Sequence, residues 1–394
     1  MGLNDTPSAD RLHIGFFGCR NAGKSSVVNA ITGQELAVVS DTPGTTTDPV
    51  MKAMELLPLG PVMIIDTPGF DDEGELGELR VKKTKMILNR TDLAILVTDS
   101  TKPLNNTGQQ LINIFREKNI PYLILKNKSD LLADIPEPRE HERYVSAVTG
   151  KGIEECKETI GKMVAVEEMR LRIVGDLIQP SDFILLVVPI DEAAPKGRLI
   201  LPQQQTIRDI LEADATAIII KENEIKKTLE TLGKKPALVI TDSQVFQRVS
   251  EDVPPDIPLT SFSILMARYK GYLETAVRGV EAVEHLKEGD RILISEGCTH
   301  HRQCNDIGSV KIPRWLKQYT GKEFQIELSS GREFPEDLSP YSLVIHCGGC
   351  MLNEREVKYR MKCAVDQQIP FTNYGIMIAY MQGILERSTE IFKN

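Results

Sequence analysis

Apolar residues along this chain come in short unbroken runs separated by longer stretches of mixed character. LHIGFFG (12–18), VMIIDTPG (62–69), LAILVTDS (93–100) and PYLILKNKSD (121–130) each read as a buried strand ending in a turn. Strands that are apolar at consecutive positions are covered on both faces, and strands separated by helical segments pair in parallel. The pattern restarts near residue 175 with FILLVVPI (183–190), TAIII (216–220) and PALVITDS (236–243), between which QQTIRDILEA and NEIKKTLETLG look helical. RILISEG (291–297) and YSLVIHCG (341–348) supply strands of a third stretch, followed by helix-forming sequence. This predicts an α/β protein of three domains: a mostly parallel sheet at 1–170, then two smaller α/β domains at 171–264 and 265–394. The proline-rich VPPDIP (253–258) reads either as a linker between domains or as a rigid turn inside one. No internal repeat is visible in these runs.

A length of 394 residues suits two or three domains, and 41% hydrophobic with 26% charged residues is an ordinary globular composition. The net charge of −9 argues against a nucleic-acid-coating protein, because phosphate binding needs a basic surface. No apolar run reaches the roughly 18 residues needed to span a bilayer. The first residues lack the apolar core of a signal peptide. A cytoplasmic protein without membrane or nucleic-acid partners is therefore expected. Of seven cysteines, five fall in the last hundred residues, a skew that favours metal or redox chemistry there over a disulfide framework.

Between a strand and the helical SVVNAITG lies GCRNAGKS, Gly18 to Ser25, which fits the phosphate-loop pattern. Its glycines let backbone N–H groups wrap phosphates, and the helix N-terminus adds partial positive charge. Lys24 can reach the outer phosphates and Ser25 can ligate Mg²⁺. Gly18, Asn21, Gly23, Lys24, Ser25 and Ser26 form the expected phosphate-side set. DTPG places Asp66 to hold Mg²⁺ through water, with the Gly69 N–H on the γ-phosphate. In NKSD, Asn127, Lys128 and Asp130 suit guanine, since Asp130 can accept from N1–H and the N2 amine that adenine lacks. Ser146 and Ala147 fit the loop that contacts the guanine oxygen.

These boxes, in this order, resemble the GTPase superfamily over about 160 residues, and PGTT in DTPGTTTDP resembles its TrmE–Era group. The resemblance implies GTP and GDP as ligands, with Thr46 on Mg²⁺ and Thr45 and Thr47 as alternatives. Lys24, Thr46, Asp66 and Gly69 are the expected catalytic residues. Phe70 stands where many relatives place a water-orienting glutamine. In TrmE-like relatives an asparagine matching Asn21 helps bind K⁺. Slow intrinsic hydrolysis stimulated by K⁺ is therefore expected. Asp71, Asp72 and Glu73 are candidates to position water, or simply a solvated acidic loop.

Cys347 and Cys350 form C-x-x-C at the end of one strand, and Cys298 follows another. Strand ends of an open parallel sheet line a common crevice, so residues about fifty apart can meet. Three chemistries fit: an iron–sulfur cluster on Cys298, Cys347 and Cys350; zinc held with His300, His301 or His346; or a redox dithiol at Cys347 and Cys350. Cys304 is a possible fourth ligand. Cys363 and Cys156 sit in helical sequence as packing residues, and Cys19 has no evident role.

Taken together, the GTPase boxes, the middle α/β domain and CTH…HCGGC resemble the HydF family of FeFe-hydrogenase maturation GTPases. That family's C-x-H…H-C-x-x-C signature matches Cys298, His300, His346, Cys347 and Cys350. The 45 residues between His300 and His346 lie at or just below the short end of the family's range. The resemblance implies a scaffold that binds a 4Fe–4S cluster through three cysteines, with His300 and His346 as possible ligands. It implies a transient di-iron precursor received from two radical-SAM maturases and passed to apo FeFe-hydrogenase. It also implies a homodimer through the middle domain. A tRNA-modifying GTPase of the TrmE kind and a zinc-containing regulatory GTPase are the alternatives.

Overall fold

The computed structural model describes residues 11–18, 21–34, 50–57, 59–67, 87–165, 172–190, 199–297, 306–331 and 334–393. The chain divides into two compact units, Met1–Met169 and Arg170–Asn394.

In the first unit a six-stranded sheet is built from β1 (Leu12–Gly18), β2 (Val50–Leu56), β3 (Gly60–Asp66), β4 (Leu93–Asp99), β5 (Tyr122–Asn127) and β6 (Glu142–Tyr144). Their order is β2-β3-β1-β4-β5-β6, and every pair is parallel except β2 with β3. β1 and β4 are buried nearly throughout, as their unbroken apolar sequences require; VMKAMEL in β2 is largely exposed and forms the edge. Helices Lys24–Thr32 and Ile153–Ala165 bury Val27, Ile31 and Ile160 with Ile14, Val97 and Leu125 on one face. Helix Asn106–Glu117 buries Leu111 and Phe115 with Phe17, Ile65 and Leu96 on the other. At about 1.5–3 kcal/mol per buried large side chain, both layers are strongly held. Parallel register brings Gly18, Asp66, Asp99 and Asn127, the last residues of four strands, to one sheet edge.

The second unit holds two four-stranded sheets. One contains β7 (Phe183–Val187), β8 (Thr216–Ile220), β9 (Leu238–Thr241) and β10 (Leu259–Ser261) in the order β10-β9-β7-β8. The other contains β11 (Arg291–Glu296), β12 (Gln325–Ser330), β13 (Leu343–His346) and β14 (Phe371–Asn373) in the order β12-β11-β13-β14. All pairs are parallel. Counted within each half, both orders are second-first-third-fourth, so the two halves share one topology.

The likeness extends to sequence, contrary to the expectation of no repeat. Residues 257–274 (IPLTSFSILMARYKGYLE) and 369–386 (IPFTNYGIMIAYMQGILE) agree at eight of eighteen positions: Ile257/Ile369, Pro258/Pro370, Thr260/Thr372, Ile264/Ile376, Ala267/Ala379, Gly271/Gly383, Leu273/Leu385 and Glu274/Glu386. Each segment forms the fourth strand of its half and then a capped helix, Phe262–Tyr269 or Tyr374–Met381. The Ser261 hydroxyl accepts from Ile264 N at 3.3 Å, and Asn373 Oδ1 accepts from Ile376 N at 2.8 Å. Both helices end on a left-handed glycine, Gly271 at φ +70 and Gly383 at φ +71.

These two helices pack on each other, and the elements that follow are exchanged. Helix Leu273–Val280 leaves the first half and covers β14, while Leu385–Thr389 leaves the second half and covers β10. Gly279 makes the first contact possible, since a Cβ there would lie 2.1 Å from the Phe371 carbonyl oxygen. Gly375 likewise faces Ser263, whose Cβ would be 2.4 Å from an added Cβ. One core runs through both sheets, from Leu185 and Val239 to Ile292 and Val344. The division expected between 264 and 265 falls inside helix Phe262–Tyr269. The proline-rich 253–258 is a turn inside this unit, leading from helix Phe246–Asp252 into β10. Arg387 fastens it, donating to the carbonyls of Ser250, Val253 and Pro254 at 2.7–2.9 Å.

Candidate functional sites: a phosphate loop and a cysteine turn

In the first unit the chain leaves β1 at Gly18 and enters helix Lys24–Thr32 at Lys24. Asn21 and Gly23 both have left-handed backbones, φ +63 and φ +79, which curl the loop over the helix N-terminus. A side chain at 23 would be impossible for a second reason: its Cβ would meet Asn127 Nδ2 at 2.4 Å. Asn127 is the tie between two nucleotide boxes. Its Nδ2 donates to Ala22 O at 3.0 Å, and its Oδ1 accepts from Ala147 N at 3.1 Å. Lys24 Nζ is paired with Asp66, so the residues expected at the phosphates and at Mg²⁺ face one another. Ser25 and Ser26 occupy the first helical turn, where N–H groups lack intrahelical acceptors.

On the guanine side, Lys128 has φ +64 and donates to Asp99 Oδ2 at 2.6 Å. Burial pushes the Asp99 carboxyl up, but hydrogen bonds from Lys128 and Thr101 outweigh it and hold the group at about 2. Asp99 was not singled out from sequence, although its place at the end of a buried strand, beside Asn127 in register, is the signal that marks it. Asp130 is exposed in the short turn Ser129–Leu131. The buried Ser146 hydroxyl accepts from Thr149 N at 3.1 Å, bracing the loop that presents Ala147. Thr45, Thr46, Thr47, Gly69, Phe70, Asp71, Asp72, Glu73 and Cys19 lie outside the described residues.

The second site forms where β11 and β13 end side by side, Ser295 opposite His346. Cys347 continues the ladder, donating its N–H to Ser295 O at 2.9 Å. Its Sγ accepts N–H groups of Gly297 at 3.1 Å and Gly349 at 3.3 Å. Gly349, at φ +64, folds the turn so that Leu352 N reaches Gly349 O at 3.0 Å, and Asn353 then caps helix Glu354–Asp366. Burial pushes the Cys347 thiol up to about 11, helped by the neighbouring Cys350 and opposed by those two N–H groups. Burial raises Cys350 as well, with Lys270 pulling the other way. A metal ion would replace these protons, and N–H donors to sulfur favour the resulting thiolate. The turn thus fits a thiolate-bound metal. Cys298 follows directly on Gly297 and, with His300, His301 and Cys304, lies outside the described residues. Among the described residues no three metal-ligating side chains converge.

His346 points inward. It is fully buried and stacked on Phe371, with ring centroids 5.8 Å apart. Its Nδ1 donates to Cys347 O at 2.7 Å, and Nε2 faces Arg360 Nη1 at 3.4 Å. Burial, then the Arg360 charge, hold its pKa down at about 3, so it is neutral. Both ring nitrogens therefore engage protein, an arrangement that suits bracing better than ligation. Arg360, also fully buried, pairs with Glu356 at 3.0 Å and reaches Gly331 O at 2.6 Å. Neither Arg360 nor Lys270 was singled out from sequence. Cys156 is buried, its thiol pushed up to about 12 chiefly by burial, and Cys363 packs against the core.

A sheet with helices on both faces, a phosphate loop and a guanine-type Asn-Lys-x-Asp box define a GTPase domain, here followed by a duplicated α/β unit that carries a cysteine turn. Residues 13–128 match the family model described as 50S ribosome-binding GTPase. Residues 173–271 match the hydrogen maturase F dimerization domain, and 274–391 match the hydrogen maturase F tetramerization domain. The chain belongs to the hydrogen maturase F family. A tRNA modification GTPase MnmE from Legionella pneumophila is 37% identical over 153 residues, covering 37% of this chain and 33% of that protein. The chain thus spans about a third of that relative's length. GTPase Der from Kosmotoga olearia is 28% identical over 236 residues, covering 55% and 51%. An Era variant from Aquifex aeolicus, solved with GDP and aluminium fluoride, covers 56% of this chain and 98% of its own, at 18% identity and a TM-score of 0.35. Among the described residues no helix is long and apolar enough to cross a membrane.

Proposed function

We propose that this chain is a GTP-hydrolysing scaffold for hydrogenase maturation, which holds a 4Fe–4S cluster on Cys298, Cys347 and Cys350. The observation that carries the reading is the Cys347 sulfur at a strand end, accepting two backbone N–H bonds one residue from Cys298. Three thiolates leave one iron of a cluster with an exchangeable position, which suits a carrier that takes up and releases cargo. In this reading the cargo is a di-iron precursor from two radical-SAM maturases, and the recipient is apo FeFe-hydrogenase. His346 orients the turn through the Cys347 carbonyl, while His300 stays a candidate ligand.

At the other site, backbone N–H groups from Gly18 to Ser26 take the phosphates, Lys24 exchanges Asp66 for the outer phosphate oxygens, and Asp66 turns to Mg²⁺-bound water. Mg²⁺ supplies charge neutralisation and holds the phosphates for in-line attack. Thr46 would be a further ligand of that ion, and the Gly69 N–H would donate to the γ-phosphate. Lys128 and Asp130 select guanine. Asn21 supports K⁺-stimulated hydrolysis; equal rates in Na⁺ and K⁺ would remove that part. GTP state times docking or release of cargo; identical hydrogenase or maturase affinities with GDP and a GTP analogue would end that idea. In this reading the expected parts 1–170, 171–264 and 265–394 bind GTP, join two copies in a cytoplasmic homodimer and hold the cluster, with the second boundary moved from 264/265 to the turn near Gly271. The middle part's edge strand β8 leaves Ile219 47% exposed and its backbone edge unpaired among the described strands. Ile219→Lys is expected to shift the chain toward monomers in sedimentation.

The deciding experiment is anaerobic reconstitution with iron and sulfide, iron counting, and EPR after reduction. About four irons per chain, lost with Cys298→Ala, Cys347→Ala or Cys350→Ala, are expected. Stoichiometric zinc without a cluster would sink the scaffold reading.

A further inference from the structure

The cysteine turn is held by a residue from the other half of its unit. Lys270 is the last residue of the helix Phe262–Tyr269 cap, inside the stretch that matches the dimerization domain. The residue is 4% exposed, and its Nζ donates to the carbonyls of Gly349 and Leu352, the latter at 2.7 Å. Those two carbonyls bracket Cys350. A lysine is almost never buried this far without a specific reason, because removing an ammonium from water is costly.

The duplication supplies an internal reference. The matching cap position in the second half is Gln382, whose N–H bonds Ile378 O at 3.1 Å, as Lys270 N bonds Met266 O at 3.0 Å. The fold therefore accepts a neutral amide at this cap. Carbonyl oxygens would also accept from an amide. The positive charge occurs only in the cap that faces cysteines. The Lys270 charge acts on the Cys350 thiol, and thiolates, or a cluster bound by them, are negative groups that such a charge would serve, with the buried Glu296 carboxyl also close to Cys347.

We propose that Lys270 is the positioning residue of the cysteine turn: it clamps residues 349–352 from the neighbouring half and keeps a positive charge beside the Cys350 sulfur. This rests on the reading of Cys347 and Cys350 as metal ligands. The charge stabilises the more negative, reduced form of the bound metal. The packing between the halves thereby sets both the shape of the turn and its redox poise.

The test uses the full chain with Lys270→Met and Lys270→Arg. Amide hydrogen exchange across 347–353 in the metal-free protein reads the clamp. The reduction potential of the reconstituted protein, from EPR-monitored titration, reads the charge. Lys270→Met is expected to speed exchange about tenfold, the effect of a lost charged hydrogen bond, and to lower the potential. Lys270→Arg is expected to keep the wild-type potential. Unchanged exchange in Lys270→Met, or equal potentials in all three proteins, overturns the proposal. So does an equal drop in both variants, which would mark a purely steric role. Lys270→Gln, the residue of the sister cap, replaces Lys270→Met if the latter does not fold. Failure of both neutral variants to fold also overturns it, since the cation would then serve the fold. If the wild-type chain takes up no iron, the cluster reading fails, and hydrogen exchange alone decides the clamp.

Discussion

The two halves of the second unit share a strand order, a fourth-strand motif and a glycine-ended helix, yet their third strands end differently. β9 runs out into Thr241 and Asp242, β13 into His346 and Cys347. The backbone hardly distinguishes them: Asp242 N donates to Val187 O, as Cys347 N donates to Ser295 O. In the first half the strand-end side chain closes its own turn, Asp242 Oδ1 accepting from Gln244 N at 3.0 Å. In the second, the strand-end sulfur gathers N–H groups from two segments. Topology offers a strand end at each sheet, and the residue at one position decides whether it closes its own turn or presents a sulfur to two segments.

The largest test of this contrast is metal binding. Cys347→Ala and Cys350→Ala are expected to abolish iron uptake, whereas Asp242→Ala should leave it intact; iron counts after reconstitution decide. Loss with Asp242→Ala would mean that the halves are not functionally distinct. Next comes the exchanged packing. Gly279→Ala forces a Cβ against the Phe371 backbone and should cost about 3 kcal/mol in urea unfolding. Its counterpart Ile391 is a partly buried side chain packed on the core, so tightness here belongs to one half. The paired glycines sharpen the comparison further. Gly383→Ala should cost about 1–2 kcal/mol for its left-handed backbone. Gly271→Ala should cost more, because its Cβ would also lie 2.7 Å from Lys358 Cε. Equal costs would show that Lys358 yields freely.

The smallest expected effect lies in the other unit. Asp99 is held at about 2, below the ordinary carboxylate value of about 4, so folding favours its charged form. Its contribution is complete above about pH 4 and is lost as pH falls towards 2. Lys128→Met should remove most of it, by less than about 1 kcal/mol, because Lys128 is one-third exposed. Urea midpoints at pH 3 and pH 6 measure the difference; a pH-independent gap between variant and parent would refute the assignment.

Strands with unbroken apolar sequence were readable in advance: LHIGFFG and TAIII are β1 and β8 to the residue. The phosphate loop was readable because its chemistry is local, with glycines, Lys24 and Ser25 within eight positions. The duplication was not, because its identities are spread over a single strand–helix–turn with different residues at the loops. Arg360, Lys270 and Asp99 act across 29 to 82 residues of sequence, and no spacing rule reaches that far. His346 reads as a possible ligand by type, and its burial and its bond to the Cys347 carbonyl come from strand and helix packing that the sequence does not display.

The exchange of helices has a consequence for how the protein is made. The first half of the second unit is synthesised early, but β10 gains its cover only when Leu385–Thr389 has been translated. The cysteine turn in turn waits for Lys270's half to be in place. The packed form of this unit, cysteine turn included, is therefore expected only after residues 385–389 have been made. Purified chains ending at 384 should stay protease-sensitive throughout 172–384, while the 394-residue chain resists; resistance in the shorter chain would show that the first half matures alone.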